Sequence, residues 1–130
     1  MKRGYLLIPV LVLTGIATSL ISCNKEPKKE ISYASQIRPI LEAHCLECHT
    51  AGGPGTEASG LSMESYDSLM KGTKFGPVIK AGDAISSTIM ILIDGRADPS
   101  INMPHGDRAP LSGEQIKLME QWINEGAKNN

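Results

Sequence analysis

Apolar positions recur at helical spacing in four stretches of the chain, and two stretches rich in glycine and proline separate them. Ile37, Ile40, Leu41 and Cys45 share one face of a helix predicted from Ser32, its N-cap, to about His44. Pro39 removes a backbone hydrogen bond there, so the segment reads as kinked or as two parts, the second starting at the proline. Residues 50–60 read as a loop on composition. Ser62 or Ser65 caps a short helix through Met70, with Tyr66, Leu69 and Met70 turned inward and Gly72 as its end. Asp83 caps the next, about residues 84–93, with Ile85, Ile89, Leu92 and Ile93 as the buried stripe and Gly95 as the stop. Residues 95–110 carry Pro99, Pro104 and Pro110 and read as irregular chain. Ser112-Gly-Glu-Gln115 then offers a capping box for a helix that turns Ile116, Met119, Trp122 and Ile123 to one side, with Gly126 as the C′ residue. The pattern predicts an all-α domain of about four short helices and two long loops.

A different pattern precedes it. Lys2 and Arg3 lead into an apolar run from Tyr5 to Ile21, and residues 1–22 read as a targeting segment. The run is somewhat shorter than the roughly 20 residues a spanning helix wants, which favours a cleaved segment over the alternative, an uncleaved N-terminal helix. Its end, Leu20-Ile21-Ser22-Cys23, resembles the lipobox of bacterial lipoproteins. That resemblance implies a signal peptide over 1–22 and a diacylglycerol thioether on Cys23. It implies a protein exported and lipid-anchored to a bacterial membrane, facing the periplasm. Asn24 is not the acidic residue linked with inner-membrane retention, which favours the outer membrane. Residues 23–30 form a charged tether broken by Pro27, and residues 31–130 are the domain.

Composition narrows the function. The chain has 130 residues, 13 basic and 14 acidic. Loss of Lys2 and Arg3 leaves 11 basic residues and a formal charge of −3, which argues against nucleic acid as a partner. The domain keeps only Tyr33, Tyr66, Phe75 and Trp122 as aromatics. So thin a core in so small a scaffold wants a staple.

The candidate staple is Cys45-Leu46-Glu47-Cys48-His49, which has the form of a c-type haem attachment site. Two thiols three positions apart can each form a thioether to one porphyrin, and the following histidine is placed to ligate the iron. A structural zinc would need two further ligands. A thioredoxin-like dithiol would need a preceding strand and a long following helix. Haem and lipid together would leave no thiol of this exported chain free to oxidise.

From about Ile31 to Ala127 the chain resembles class I c-type cytochrome domains, particularly the small bacterial set related to planctomycete-type cytochrome c. The matching pieces are Ile37-Arg38-Pro39-Ile40-Leu41, Cys45-Leu46-Glu47-Cys48-His49, Gly60-Leu61-Ser62, Ala81-Gly82-Asp83, Asn102-Met103-Pro104, and Leu111-Ser112 through Trp122-Ile123 to Gly126-Ala127. The resemblance implies a class I cytochrome c-like fold around one covalent haem c held by Cys45 and Cys48. His49 would be one axial ligand and Met103 the other, with Trp122 in the contact of first and last helices. His105, where many relatives carry a second proline or small residue, stands as a second candidate ligand. Met63, Met70, Met90 and Met119 sit in apolar helical patterns and read as core fillers. His44 reads as exposed at a helix end. Arg96, Arg108 and Lys74 read as haem propionate partners or solvated surface.

The function implied is a membrane-anchored monohaem carrier of single electrons, or the electron-entry subunit of a larger oxidoreductase. Redox proteins would be its partners, with no small-molecule substrate. No paired carboxylates, Ser/His/Asp set or nucleotide loop argues for an enzyme. The competing class is a haem enzyme or gas sensor with an open distal site, such as a small peroxidase.

Overall fold

A computed structural model describes residues 29–130. The expected leader over 1–22, the lipidated Cys23 and the tether up to residue 28 lie outside the described residues. Those described form five α-helices and no strand, with one isolated bridge between Thr73 and Gly76. None of these helices is long and apolar enough to cross a membrane.

The two-part reading of the first segment matches the backbone. Ser32 Oγ caps a π-helical turn, Tyr33–Ile37, by accepting from the Ser35 N–H. Helix α1, Arg38–His44, follows at once, with Pro39 in its first turn, where the missing N–H costs nothing. The second segment differs from expectation. Within the loop of residues 50–60, Pro54–Ser59 form a short helix α2, started by its proline and ended by Gly60 at φ +79°. Of the two candidate caps for α3, Tyr66–Lys71, Ser65 acts, in a reciprocal box with Ser68.

Helix α4 is shorter than its apolar pattern suggested. It spans Thr88–Ile93 after Ser87, not Asp83. Asp83 caps only a turn, accepting from the Ser86 N–H at 3.1 Å. Ser87 is buried and donates to the Asp83 carbonyl at 2.8 Å. With residues 83–87 in turns, Ile85 leaves the stripe and is 76% exposed, while Ile89, Met90 and Ile93 remain inside. The last helix, α5 (Gly113–Asn124), has its expected box: Ser112 accepts from the Gln115 N–H and Gln115 Oε1 from the Ser112 N–H.

The core sits where α5 packs on the π-helical turn and on α4. Trp122, Ile37, Leu41, Leu69, Met119 and Ile123 are fully buried. Tyr33 links the two chain ends: its ring lies 5.6 Å from that of Trp122 and edge-on to Tyr66 at 5.2 Å. Such pairs add about 0.5–1.5 kcal/mol beyond area. The polar tips are also used. Trp122 Nε1–H donates to the Lys128 carbonyl and the Tyr66 hydroxyl to the Ala127 carbonyl. Met63, Met90 and Met119 are buried and Met70 half-buried, as core fillers should be.

These placements separate two substitutions. Trp122→Ala should cost about 3–5 kcal/mol in urea unfolding, a full cavity term. Ile85→Ala should change stability by less than about 0.5 kcal/mol; a core-sized loss would put Ile85 back in a longer α4.

Candidate haem-attachment site

Helix α1 delivers the motif. Cys45 closes it, its N–H bonded to the Leu41 carbonyl at 2.9 Å. The Cys45 carbonyl in turn accepts from the N–H groups of Cys48, at 3.1 Å, and His49, at 2.9 Å. One helical turn therefore carries both thiols, as thioether attachment to a single macrocycle requires. Burial, and then the neighbouring Cys48, push the Cys45 thiol up to about 11. Among the described residues no three His, Cys, Asp or Glu side chains gather as a metal site would need.

His49 is buried and held from several sides. Its Nδ1 lies 3.0 Å from the Leu61 carbonyl oxygen. A carbonyl can only accept, so Nδ1 carries the proton and Nε2 keeps its lone pair, the form in which histidine binds a metal. The same carbonyl accepts from Thr56 Oγ1 at 2.8 Å, and the His49 carbonyl accepts from the Met63 N–H at 2.8 Å. The first turn of α2 hangs on this motif, with the Gly55 and Thr56 N–H groups bonded to the Cys48 carbonyl. Two glycines permit that approach. A Cβ at Gly53 would meet the Cys48 oxygen at 2.5 Å, and one at Gly55 the His49 ring at 2.8 Å. The glycines after the motif thus bring backbone onto Cys48 and His49.

The distal half lies in the irregular chain after α4. The Met103 N–H donates to the Leu92 carbonyl at 2.8 Å, and the peptide to Pro104 is cis. Met103 is half-buried against the core and His105 is exposed. A cavity of about 290 Å³ opens beside Met103, walled by Leu92, Ile93, Leu111 and Ile116, with Asp94 and Asn102 as its polar members. Cys45, Cys48 and His49 do not line it. What joins the halves is an ion pair: Arg108 grips Glu47, inside the motif, with two N–H···O bonds of 2.5 and 2.6 Å. Arg108 holds the Glu47 carboxyl below its ordinary range, and Glu47 raises the guanidinium.

Other expectations change. His44 is half-buried, and its Nε2 lies 3.1 Å from Gln115 Nε2, so the amide donates and the imidazole accepts. Arg96 pairs with Asp94 at 2.7 Å and donates to the Ile85 carbonyl, and Lys74 donates to the Ala58 carbonyl over the Phe75 ring. Residue reasoning missed the Glu47–Arg108 pair and the Leu61 carbonyl. Nothing in one sequence signals a contact across 61 positions.

Taken together, the residues fit a covalently held haem: two thiols on one turn, and a histidine tautomer that leaves Nε2 its lone pair. Residues 45–107 match the family described as Planctomycete cytochrome C. No curated protein and no solved structure matches the chain.

Two checks follow. Because only the thiolate alkylates, the rate at Cys45 in the haem-free chain should keep rising to a pH of about 11 instead of levelling near the ordinary 9.0. Mass spectrometry of trapped peptides reads this, and haem-loaded protein should show no reaction at Cys45 or Cys48. In urea unfolding, Gly55→Ala should destabilise by about 1–3 kcal/mol through overpacking on His49. Gly113→Ala, with open space around it, should not.

Proposed function

We propose, from the match of residues 45–107 to the family described as Planctomycete cytochrome C, that the chain is a membrane-anchored monohaem c-type cytochrome carrying single electrons on the periplasmic side of a bacterial membrane. The observation that carries the reading is the His49 imidazole, one residue past two cysteines on a single turn, with Nδ1 spent on the Leu61 carbonyl. When bound, haem supplies a reversible one-electron iron couple. Cys45 and Cys48 would hold it covalently, and His49 would supply Nε2. Met103 would give a soft thioether, which favours ferrous iron and raises the potential. Leu92, Ile93, Leu111 and Ile116 would keep water from that side. With His49 and Met103 both holding the iron, transfer would be outer-sphere and the chain would be no enzyme by itself. Redox proteins would be its partners, and the lipid on Cys23 its anchor.

The haem-loaded chain should gain the mass of one haem and show six-coordinate low-spin iron in both redox states. Met103→Ala should abolish the weak far-red sulfur-to-iron band and lower the potential, while His105→Ala should leave both alone. High-spin iron that readily takes up carbon monoxide would favour the enzyme or sensor class instead, and a colourless protein would end the haem reading.

A further inference from the structure

The two arginines of the distal loop are already engaged, Arg96 with Asp94 and Arg108 with Glu47. Asn102 is not. It lines the Met103 cavity, and its Oδ1 is buried with no hydrogen-bond partner. The other such atom among the described residues, the Tyr33 hydroxyl oxygen, belongs to a residue lining a separate surface cavity with Arg38 and Tyr66. A buried carbonyl oxygen left without a donor is costly. The two ends of a carboxamide have nearly the same shape, and the partner each meets decides which end turns inward. A thioether-ligated haem brings acceptors: sulfur lone pairs and propionate carboxylates. Neither can satisfy Oδ1, and both can take an N–H.

We propose that Asn102 turns its carboxamide N–H into the Met103 cavity and donates to such an acceptor, the Met103 sulfur or a haem propionate. It is then a positioning residue that sets the reduction potential. The inference rests on the haem reading above. The backbone supports it, because the bond from the Met103 N–H to the Leu92 carbonyl fixes the chain one residue away. A donor to sulfur draws electron density from the ligand, and a donor to a propionate offsets negative charge. Both favour ferrous iron, so losing the donor should lower the potential in either case.

Asn102→Leu keeps the size and removes the N–H. In the haem-loaded full chain it should shift the ferrous-to-ferric ratio at fixed applied potential by up to about tenfold, about 59 mV for one electron. A fall that varies with pH while the far-red band stays unchanged assigns the propionate. A pH-independent fall with a displaced band assigns the Met103 sulfur. Unchanged potential and band overturn the inference. A measurement on the unsubstituted ferrous protein decides even if the variant does not load haem: the Asn102 side-chain amide protons should exchange at least about ten times more slowly than those of exposed Asn129. Equal rates overturn the proposal. A parent protein with a normal far-red band and a silent Asn102 sinks only this inference, whereas a parent without haem takes the functional reading down with it.

Discussion

The hydrogen bond from His49 Nδ1 to the Leu61 carbonyl organises the segment from His49 to Met63 around one ring nitrogen. Its acceptor sits twelve residues downstream, so the chain must fold back to present it. The short helix α2, the left-handed Gly60 and the Thr56 hydroxyl on the same carbonyl are the means of that return. The Met63 N–H on the His49 carbonyl closes the loop from the other side. An imidazole held this way has one tautomer and one orientation, so its lone pair is aimed before any metal arrives. Without the bond, the tautomers would exchange and the ring would turn about its side-chain torsions.

Around that loop the hydrophobic core is small and closed mainly by its ends. Tyr33, Tyr66 and Trp122 bring the first turn, α3 and α5 together, and the Asn130 carbonyl accepts from the Ala34 N–H. A core of this size leaves little margin. It also leaves the stretch from Gly95 to Pro110 without a buried residue, Met103 being half-buried against the core and Leu111 the first buried residue after it. Covalent attachment through Cys45 and Cys48 would add apolar surface on the motif side of that stretch. The Glu47–Arg108 pair reaches it from the same side, but both partners face water, where a lone pair holds weakly.

Local signals in the sequence were legible where the chain obeys local rules. Ser32, Ser65 and the Ser112/Gln115 box start their elements as caps should, and Pro39 divides the first helix as its missing N–H demands. The attachment motif was legible because its chemistry is written in adjacent residues. The reading faltered where neighbours in space, not in sequence, decide. Ile85 fits a helical stripe, but the buried Ser87 and the Arg96 contact to the Ile85 carbonyl hold that segment in turns. Pro54 and Gly55 look like loop, yet bonds to the Cys48 carbonyl start a helix there. His44 looked idle because its partner, Gln115, lies 71 positions away.

The two arginines near the distal loop show how charge would be managed at such a site. A haem brings anionic propionates, and unpaired guanidinium groups would be the strongest compensation available. Here each arginine already meets a carboxylate, so the pairs present little net charge to the cavity. Compensation would then fall to dipoles: backbone N–H groups, and the Asn102 carboxamide. Dipoles fixed in a low-dielectric wall need no reorganisation when an electron arrives or leaves, whereas solvated charges do. For a carrier whose task is to change charge by one unit without changing shape, neutral fixed donors suit the work better than a mobile surface cation.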